Sequence, residues 1–353
     1  MRAVGYDEHG GPEVLRVVQV PRPQPRAGHV LVEMRAVSIN HLDLWVRRGL
    51  PHLKHLYPHI GGSDGAGVVI DVGADVRGVR LSQPVLINPG TSCMACEACL
   101  GGADNLCRHY GILGENRPGI CAEVISVPAA NILPFPNGLT WAQGASLPLT
   151  FLTAWQMLVI KAGVKPGDVV LVQAGGSGVG SAGIQIARLH GATVITTAST
   201  DEKLARAREL GAQHTINYKE QDFLKEVRAI TGKRGVDIVF DSVGADVWDK
   251  NIRALRWGGK LVTCGATSGF AAQTDLRQVF FRQIEILGST MGPKGSLFEV
   301  LRHVEAGSLR PVVDKVFSFS EASAAHAYVE ARKNFGKVLL APDGVDAHCP
   351  VAL

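Results

Sequence analysis

The sequence has no apolar run approaching the roughly 18 residues that a membrane span needs. Its first residues, Met1 to Gly11, lack the apolar stretch of a secretion signal. A cytoplasmic location is therefore expected. No block of like charge is present either. The tightest basic groups are pairs such as Arg47-Arg48 and Lys233-Arg234, and the net charge is only +4. Scattered charge of this kind excludes the basic stripe of a nucleic-acid binder. Neither nucleic acid nor membrane is an expected partner; a small-molecule substrate is. Internal repeats and low-complexity segments are also absent. Charged residues make up 19% and hydrophobic residues 46%, a balance that suits a globular chain with a sizeable core. At 353 residues the chain is longer than one core usually serves, so two domains are the default.

Against this plain background, four of the seven cysteines fall within a short span. Cys93, Cys96, Cys99 and Cys107 follow the spacing C-x2-C-x2-C-x7-C. Four thiolates at such spacing can close a tetrahedral shell around one Zn²⁺ and leave no position for water or substrate. A metal held in that way shapes the chain and does no chemistry. Disulfides would use the same residues, but nothing else points to an oxidising compartment. Iron–sulfur clusters also take four cysteines at similar spacings. Cys121, Cys264 and Cys349 lie far apart in sequence and read as ordinary thiols.

The pattern of the chain changes near residue 151. Before it, short Val-rich segments such as His29–Arg35 and Gly67–Val72 read as strands between glycine and proline punctuation. After it, strands and helices alternate. The apolar run Asp168–Gln173 suits a strand buried on both faces. Further strands are expected at Thr193–Thr197, Val236–Phe240, Lys260–Thr263 and Ile284–Leu287, with helices between them. Alternation of this kind predicts a parallel sheet covered by helices on both faces.

Between the first of these strands and its helix lies Ala174-Gly-Gly-Ser-Gly-Val-Gly180. Glycines there let the backbone turn tightly and approach a pyrophosphate, while the helix N-terminus offers free N–H groups. Gly175, Gly176, Ser177, Gly178, Val179 and Gly180 are the expected cofactor contacts, with Ser177 where the usual middle glycine falls. The next strand ends in Ala198-Ser199-Thr200 and carries no acid at its tip. An acid there holds the ribose hydroxyls of NAD, and its absence removes the repulsion a 2′-phosphate would meet. Ser199 and Lys203 could hold that phosphate, so NADP(H) is favoured over NAD(H). Ser199–Glu202 also matches a helix capping box, with Lys203 as a solvated helix residue.

The order of these motifs resembles the medium-chain dehydrogenase/reductase superfamily, which includes zinc alcohol dehydrogenases and quinone reductases. The resemblance rests on a β-rich first half with the cysteine loop, the central glycine turn, and Gly336-Lys337-Val338 near the end. It covers essentially the whole chain. It implies an α/β fold: a GroES-like catalytic domain over residues 1–150 and 294–353, and a doubly wound Rossmann domain over 151–293. It also implies one structural Zn²⁺ per chain on the cysteine quartet. Thr153 resembles the threonine beside the nicotinamide, and cofactor contacts are implied at Tyr218 and Gly265. The last Rossmann strand is one that commonly pairs across a dimer, so a homodimer or homotetramer is expected.

The three positions that hold a catalytic zinc in the alcohol dehydrogenases read differently here. They carry Asn40, Ser63 and Leu149 in place of Cys, His and Cys. An amide, a hydroxyl and an alkyl chain are poor zinc donors. Leu42 stands where the proton-relaying hydroxyl would be. Asn40 resembles the asparagine of the zinc-less quinone reductases and is the first candidate to contact the acceptor oxygen, with His41 as a proton donor. The expected activity is hydride transfer between NAD(P)(H) and an activated carbonyl, enone or quinone. Two alternatives stay open: an alcohol dehydrogenase with a rearranged metal site around His41, Asp43 and Asp64, and a non-catalytic NADPH sensor.

Overall fold

A computed structural model describes residues 1–50, 53 and 56–351. The chain forms two compact units. The first comprises Met1–Leu149, Pro293–Glu305 and Pro311–Leu353, and the second Thr150–Gly292 with Ala306–Arg310.

The first unit is built on a seven-stranded sheet. His29–Ser38 lies near its middle and pairs antiparallel with Asp64–Val72, Val124–Pro128 and Lys337–Ala341. Alternate residues of His29–Ser38, such as Val30, Val32 and Met34, enter the core with Ile120, Val127 and Val338. The register then places chemistry. Ser38 faces Asp64 on one side and Leu339 on the other. The residues just beyond these pairs, Asn40 and Lys337, therefore arrive beside Asp64 from neighbouring strands. A helix, His41–Arg48, begins at once, and its Asp43 carboxylate accepts the Asn40 N–H at 2.7 Å.

The second unit is a six-stranded parallel sheet. Its order is His214–Asn217, Thr193–Ala198, Val169–Val172, Val236–Asp241, Leu255–Thr263 and Glu285–Gly288. Numbered along the chain, that is 3-2-1-4-5-6, all parallel, and the order in which strands are added reverses between Val169–Val172 and Val236–Asp241. Every residue of Val236–Asp241 is buried, as a central parallel strand requires. The fifth strand starts earlier than its sequence suggests. Arg256 to Gly259 join it because a register shift near Val236 lets Leu255 pair there. Two glycines had hidden that extension.

Candidate functional site

The cysteine loop lies in the first unit. The four sulfurs come within 4.8 Å of one another. Cys93–Cys107 and Cys96–Cys99 are each 3.5 Å apart, and Cys93–Cys99 is 3.9 Å. A Zn–S bond of about 2.3 Å gives tetrahedral S–S edges of about 3.8 Å, so the quartet accommodates zinc with shifts of about an ångström or less. All seven cysteines are free thiols. Backbone N–H groups, first that of Ala95 and then that of Cys96, lower the Cys93 thiol to about 6, whereas Cys96, against the pull of the Cys99 N–H, is raised to about 11 by its sulfur neighbours and burial. The loop is strapped at its base. Lys294, opening the helix Lys294–Glu305, donates to Asp104 through both its backbone N and its Nζ, each at 2.8 Å. Among the described residues this quartet is the only group of three or more His, Cys, Asp or Glu placed to hold a metal. His41, Asp43 and Asp64 do not come together as such a group.

A second constellation in the same unit joins Asn40, Asp64 and Lys337. Lys337 is only 5% exposed. Its Nζ donates to Asn40 Oδ1 and to the Ile39 carbonyl, both at 2.6 Å. Asn40 Nδ2 donates to Asp64 Oδ1 at 2.8 Å and, more weakly, to the Ser38 carbonyl at 3.3 Å. The other Asp64 oxygen accepts the Leu149 N–H at 2.8 Å. Only one orientation of the amide satisfies both neighbours, oxygen toward the ammonium and nitrogen toward the carboxylate. The amide thus bridges a buried cation and a buried anion that form no direct ion pair. Asp43 completes the group. It accepts the N–H groups of Asn40 and Gly62, the latter at 3.0 Å. Gly62 has φ +88°, and a Cβ there would come within 2.9 Å of Val37, so this turn requires glycine. Beside it the Ser63 hydroxyl is buried with no hydrogen-bond partner among the described residues.

The charges of this group are strongly coupled. Burial pushes the Asp43 carboxyl up to about 6, against the Asn40 and Gly62 N–H groups and Lys337, which pull it down. Burial raises Asp64 as well, with Lys337 opposing. Burial lowers Lys337, with Asp64 and Asp43 resisting. His41, the next residue along, is lowered to about 4 by burial and then by Lys337. It is neutral near pH 7. Acting as a proton donor, it would use a neutral N–H rather than an imidazolium.

Residues expected to hold the cofactor gather at the carboxyl ends of the second unit's strands. The turn after Val169–Val172 puts Ala174 at φ +53°. Gly180 packs so tightly that a Cβ would lie 2.2 Å from the Ala174 carbonyl oxygen. Ser177 caps the helix Gly178–Leu189 by accepting the Gly180 N–H at 2.9 Å. That explains its place where a glycine is usual. The N–H groups of Gly176, Gly178 and Val179 have no protein acceptor among the described residues, so they are available to an anion. Ser199 follows Thr193–Ala198, Tyr218 follows His214–Asn217, and Gly265 follows Leu255–Thr263. Tyr218 is tied back by its N–H to the Ala198 carbonyl at 3.1 Å. The cap of the next helix differs from the Ser199–Glu202 box. Thr200 is the capping residue and accepts the Lys203 N–H at 3.3 Å, so capping does not consume the Ser199 hydroxyl. Thr153 is buried in this unit, with its hydroxyl 4.0 Å from the Met291 sulfur.

Sequence reasoning singled out Asn40 and His41 but assigned no role to Lys337. A signal was there: a lysine opening the otherwise apolar strand Lys337–Ala341 is costly to bury unless something holds its charge.

A parallel sheet in this order, with a glycine turn at its point of reversal, defines a dinucleotide-binding fold. Family comparison sharpens the class. A profile described as an alcohol dehydrogenase GroES-like domain matches residues 26–137, and one described as a zinc-binding dehydrogenase matches 178–306. A zinc-type alcohol dehydrogenase-like protein of Schizosaccharomyces pombe is 32% identical over 97% of this chain and 99% of its own. A 2-haloacrylate reductase of a Burkholderia species is 34% identical over 94% and 96%. A crystal structure described as an NAD-dependent alcohol dehydrogenase superposes with a TM-score of 0.94 at 50% identity, covering 97% and 99%. The chain belongs to the medium-chain dehydrogenase/reductase superfamily. It is an NAD(P)-dependent oxidoreductase with a GroES-like and a Rossmann domain.

Proposed function

We propose that this enzyme passes hydride from NADPH to an enone, a quinone or a similarly activated carbonyl, with one structural Zn²⁺ per chain and no catalytic zinc. The observation that carries the reading is the Lys337–Asn40–Asp64 bridge. It engages the residue that stands in place of one catalytic zinc ligand, while Ser63 and Leu149 replace the other two. NADPH would supply the hydride. The acceptor must then spread the arriving charge as an enolate or phenolate, because no Lewis acid takes it. Asn40 supplies a hydrogen bond to the acceptor oxygen, for which its 3.3 Å bond to Ser38 is the one to yield. His41 donates nearby and Thr153 flanks the nicotinamide. The name of the Burkholderia relative, a reductase of an activated alkene, supports this acceptor class.

The solved neighbour's name supports a second reading, that of an alcohol dehydrogenase using NAD. Zinc per chain, measured with a screen of enones, quinones, aldehydes and alcohols, separates them. About one zinc per chain with enone or quinone turnover is the expected result. Two zinc ions, with alcohol oxidation lost on mild chelation and restored by zinc, would overturn it. NADPH binding without any turnover would favour a sensor.

Cofactor preference has its own test. Ser199 and Lys203 are proposed to hold the 2′-phosphate at the tip of Thr193–Ala198. The Lys203→Ala variant should raise KM for NADPH roughly tenfold, as for loss of one charge-assisted contact, and leave KM for NADH nearly unchanged. Equal effects on both cofactors would refute the assignment. The edge strand Glu285–Gly288 exposes Ile286, and Phe280 and Phe281 stand out beside it. An apolar edge of this kind needs cover, and we assign it to pairing with a second copy.

A further inference from the structure

The Rossmann unit carries a second concavity at the opposite ends of its strands from the glycine turn. It surrounds Gly235 and Leu255, at the amino ends of Val236–Asp241 and Leu255–Thr263. Its volume is about 610 Å³, within the range of small-molecule sites. Six cations line it and no carboxylate does. Lys225 and Arg228 come from the helix Phe223–Ile230, Lys233 and Arg234 from the turn after it, and Arg253 and Arg282 from beyond.

Some of these charges are spent on the fold. Arg234 pairs with Asp237 at 2.7 Å, and Arg253 with Asp249 at 3.4 Å. Arg282 donates to the carbonyls of Ile252 and Leu255 and to Gln278. Burial, then the neighbouring Arg228, lowers its pKa from the usual guanidinium value. Lys225, Arg228 and Lys233 form no ion pair among the described residues. Like charges gathered in a concavity repel one another, and among the described residues no carboxylate offsets Lys225, Arg228 and Lys233. A multivalent anion would. Trp257 forms part of the wall and is 67% exposed. An indole left so open beside guanidinium groups is a stacking surface for an aromatic ring.

We propose that this concavity binds a nucleoside polyphosphate, with its phosphates against Lys225, Arg228 and Lys233 and its base on Trp257. The site is separate from the glycine turn and does not depend on the acceptor proposed above. Its test is calorimetric titration of the holoenzyme, cofactor already bound, with ATP and with inorganic tripolyphosphate. ATP should bind saturably and about tenfold more tightly than tripolyphosphate, as one stacked base allows. The K225Q/R228Q variant should weaken both at least tenfold while cofactor affinity and thermal midpoint stay unchanged. W257A should bring ATP down to the tripolyphosphate level. No saturable ATP binding to the holoenzyme, or equal ATP affinity in wild type and K225Q/R228Q, would overturn the site. Equal affinity for ATP and tripolyphosphate in the wild type would overturn the nucleoside assignment.

Discussion

Zinc bound by the Cys96→Ser variant is expected to fall from about one ion per chain to a small fraction of that, because a closed tetrahedral shell needs all four thiolates. The loss should be felt well beyond one contact. Structural zinc contributes folding energy outright, and this loop has little else to hold it. Met94 is 49% exposed, Leu100 77% and Leu106 67%, so the segment cannot fold around its own apolar side chains. Without the metal, the strap from Lys294 to Asp104 fixes only its base. Thermal unfolding should begin roughly 5–10 °C lower, as for a loss of about 2–3 kcal/mol in a domain of this size. Protease cleavage should appear between residues 93 and 107. Elemental analysis with limited proteolysis checks both. Unchanged zinc content would refute the quartet as the site. Turnover that tracks zinc loading while the protein stays folded would give this metal a chemical role and sink the division of labour argued above.

The legible parts of this protein were those encoded locally. The glycine turn could be read because a buried strand, a turn and a helix follow one another within a few residues. The quartet could be read because metal ligands in one loop keep a short spacing. Reading failed by small amounts where two local signals compete. Ser199 and Thr200 are both good capping residues, and the backbone settles the choice for Thr200 by placing its hydroxyl 3.3 Å from the Lys203 N–H. The early start of Leu255–Thr263 was masked because glycines argue against a strand, whereas pairing with Val236 argues for one.

The Lys337 bridge was illegible for a different reason. Asn40 and Lys337 are separated by 297 positions, and only the register of adjacent strands brings them together. Sequence could show Asn40, Ser63 and Leu149 at the positions that the family resemblance pairs with zinc ligands. It could not show that a lysine ammonium had taken up a place among the remaining carboxylates. Resemblance alone therefore described the site by what it lacks, and the structure adds the charge that balances it.

That balance makes Lys337→Met the most damaging single change expected in the first unit. Methionine nearly matches lysine in length but leaves Asn40 Oδ1 without a donor and two buried carboxylates without a cation. Leaving buried carboxylates without their compensating cation in this way costs up to about 3–5 kcal/mol. The sign with pH follows from the carboxyls. Asp43 and Asp64 both have folded pKa values raised above their unfolded values, Asp43 to about 6. Such groups stabilise the fold in their protonated form, and that contribution is lost as pH rises from about 4 through 6. Removing Lys337 takes away a group that lowers both, so the deficit of the variant should be largest above about pH 7. It should shrink in acid, where the carboxyls are neutral and the wild type is left with an unbalanced buried ammonium. Urea denaturation at pH 5, 6 and 7.5 measures this directly. Adding Asp64→Asn to the variant should recover part of the loss at pH 7.5, with a coupling of about 1–3 kcal/mol for residues sharing one network. Independent, additive effects would mean that the amide bridge does not join the two charges. A deficit that grows toward acid would mean that Lys337 is not held there by its carboxylates. Turnover offers a second readout, because an Asn40 amide freed from Lys337 can rotate. kcat measured without urea at pH 6, where the variant keeps most of its fold, should fall more than KM rises.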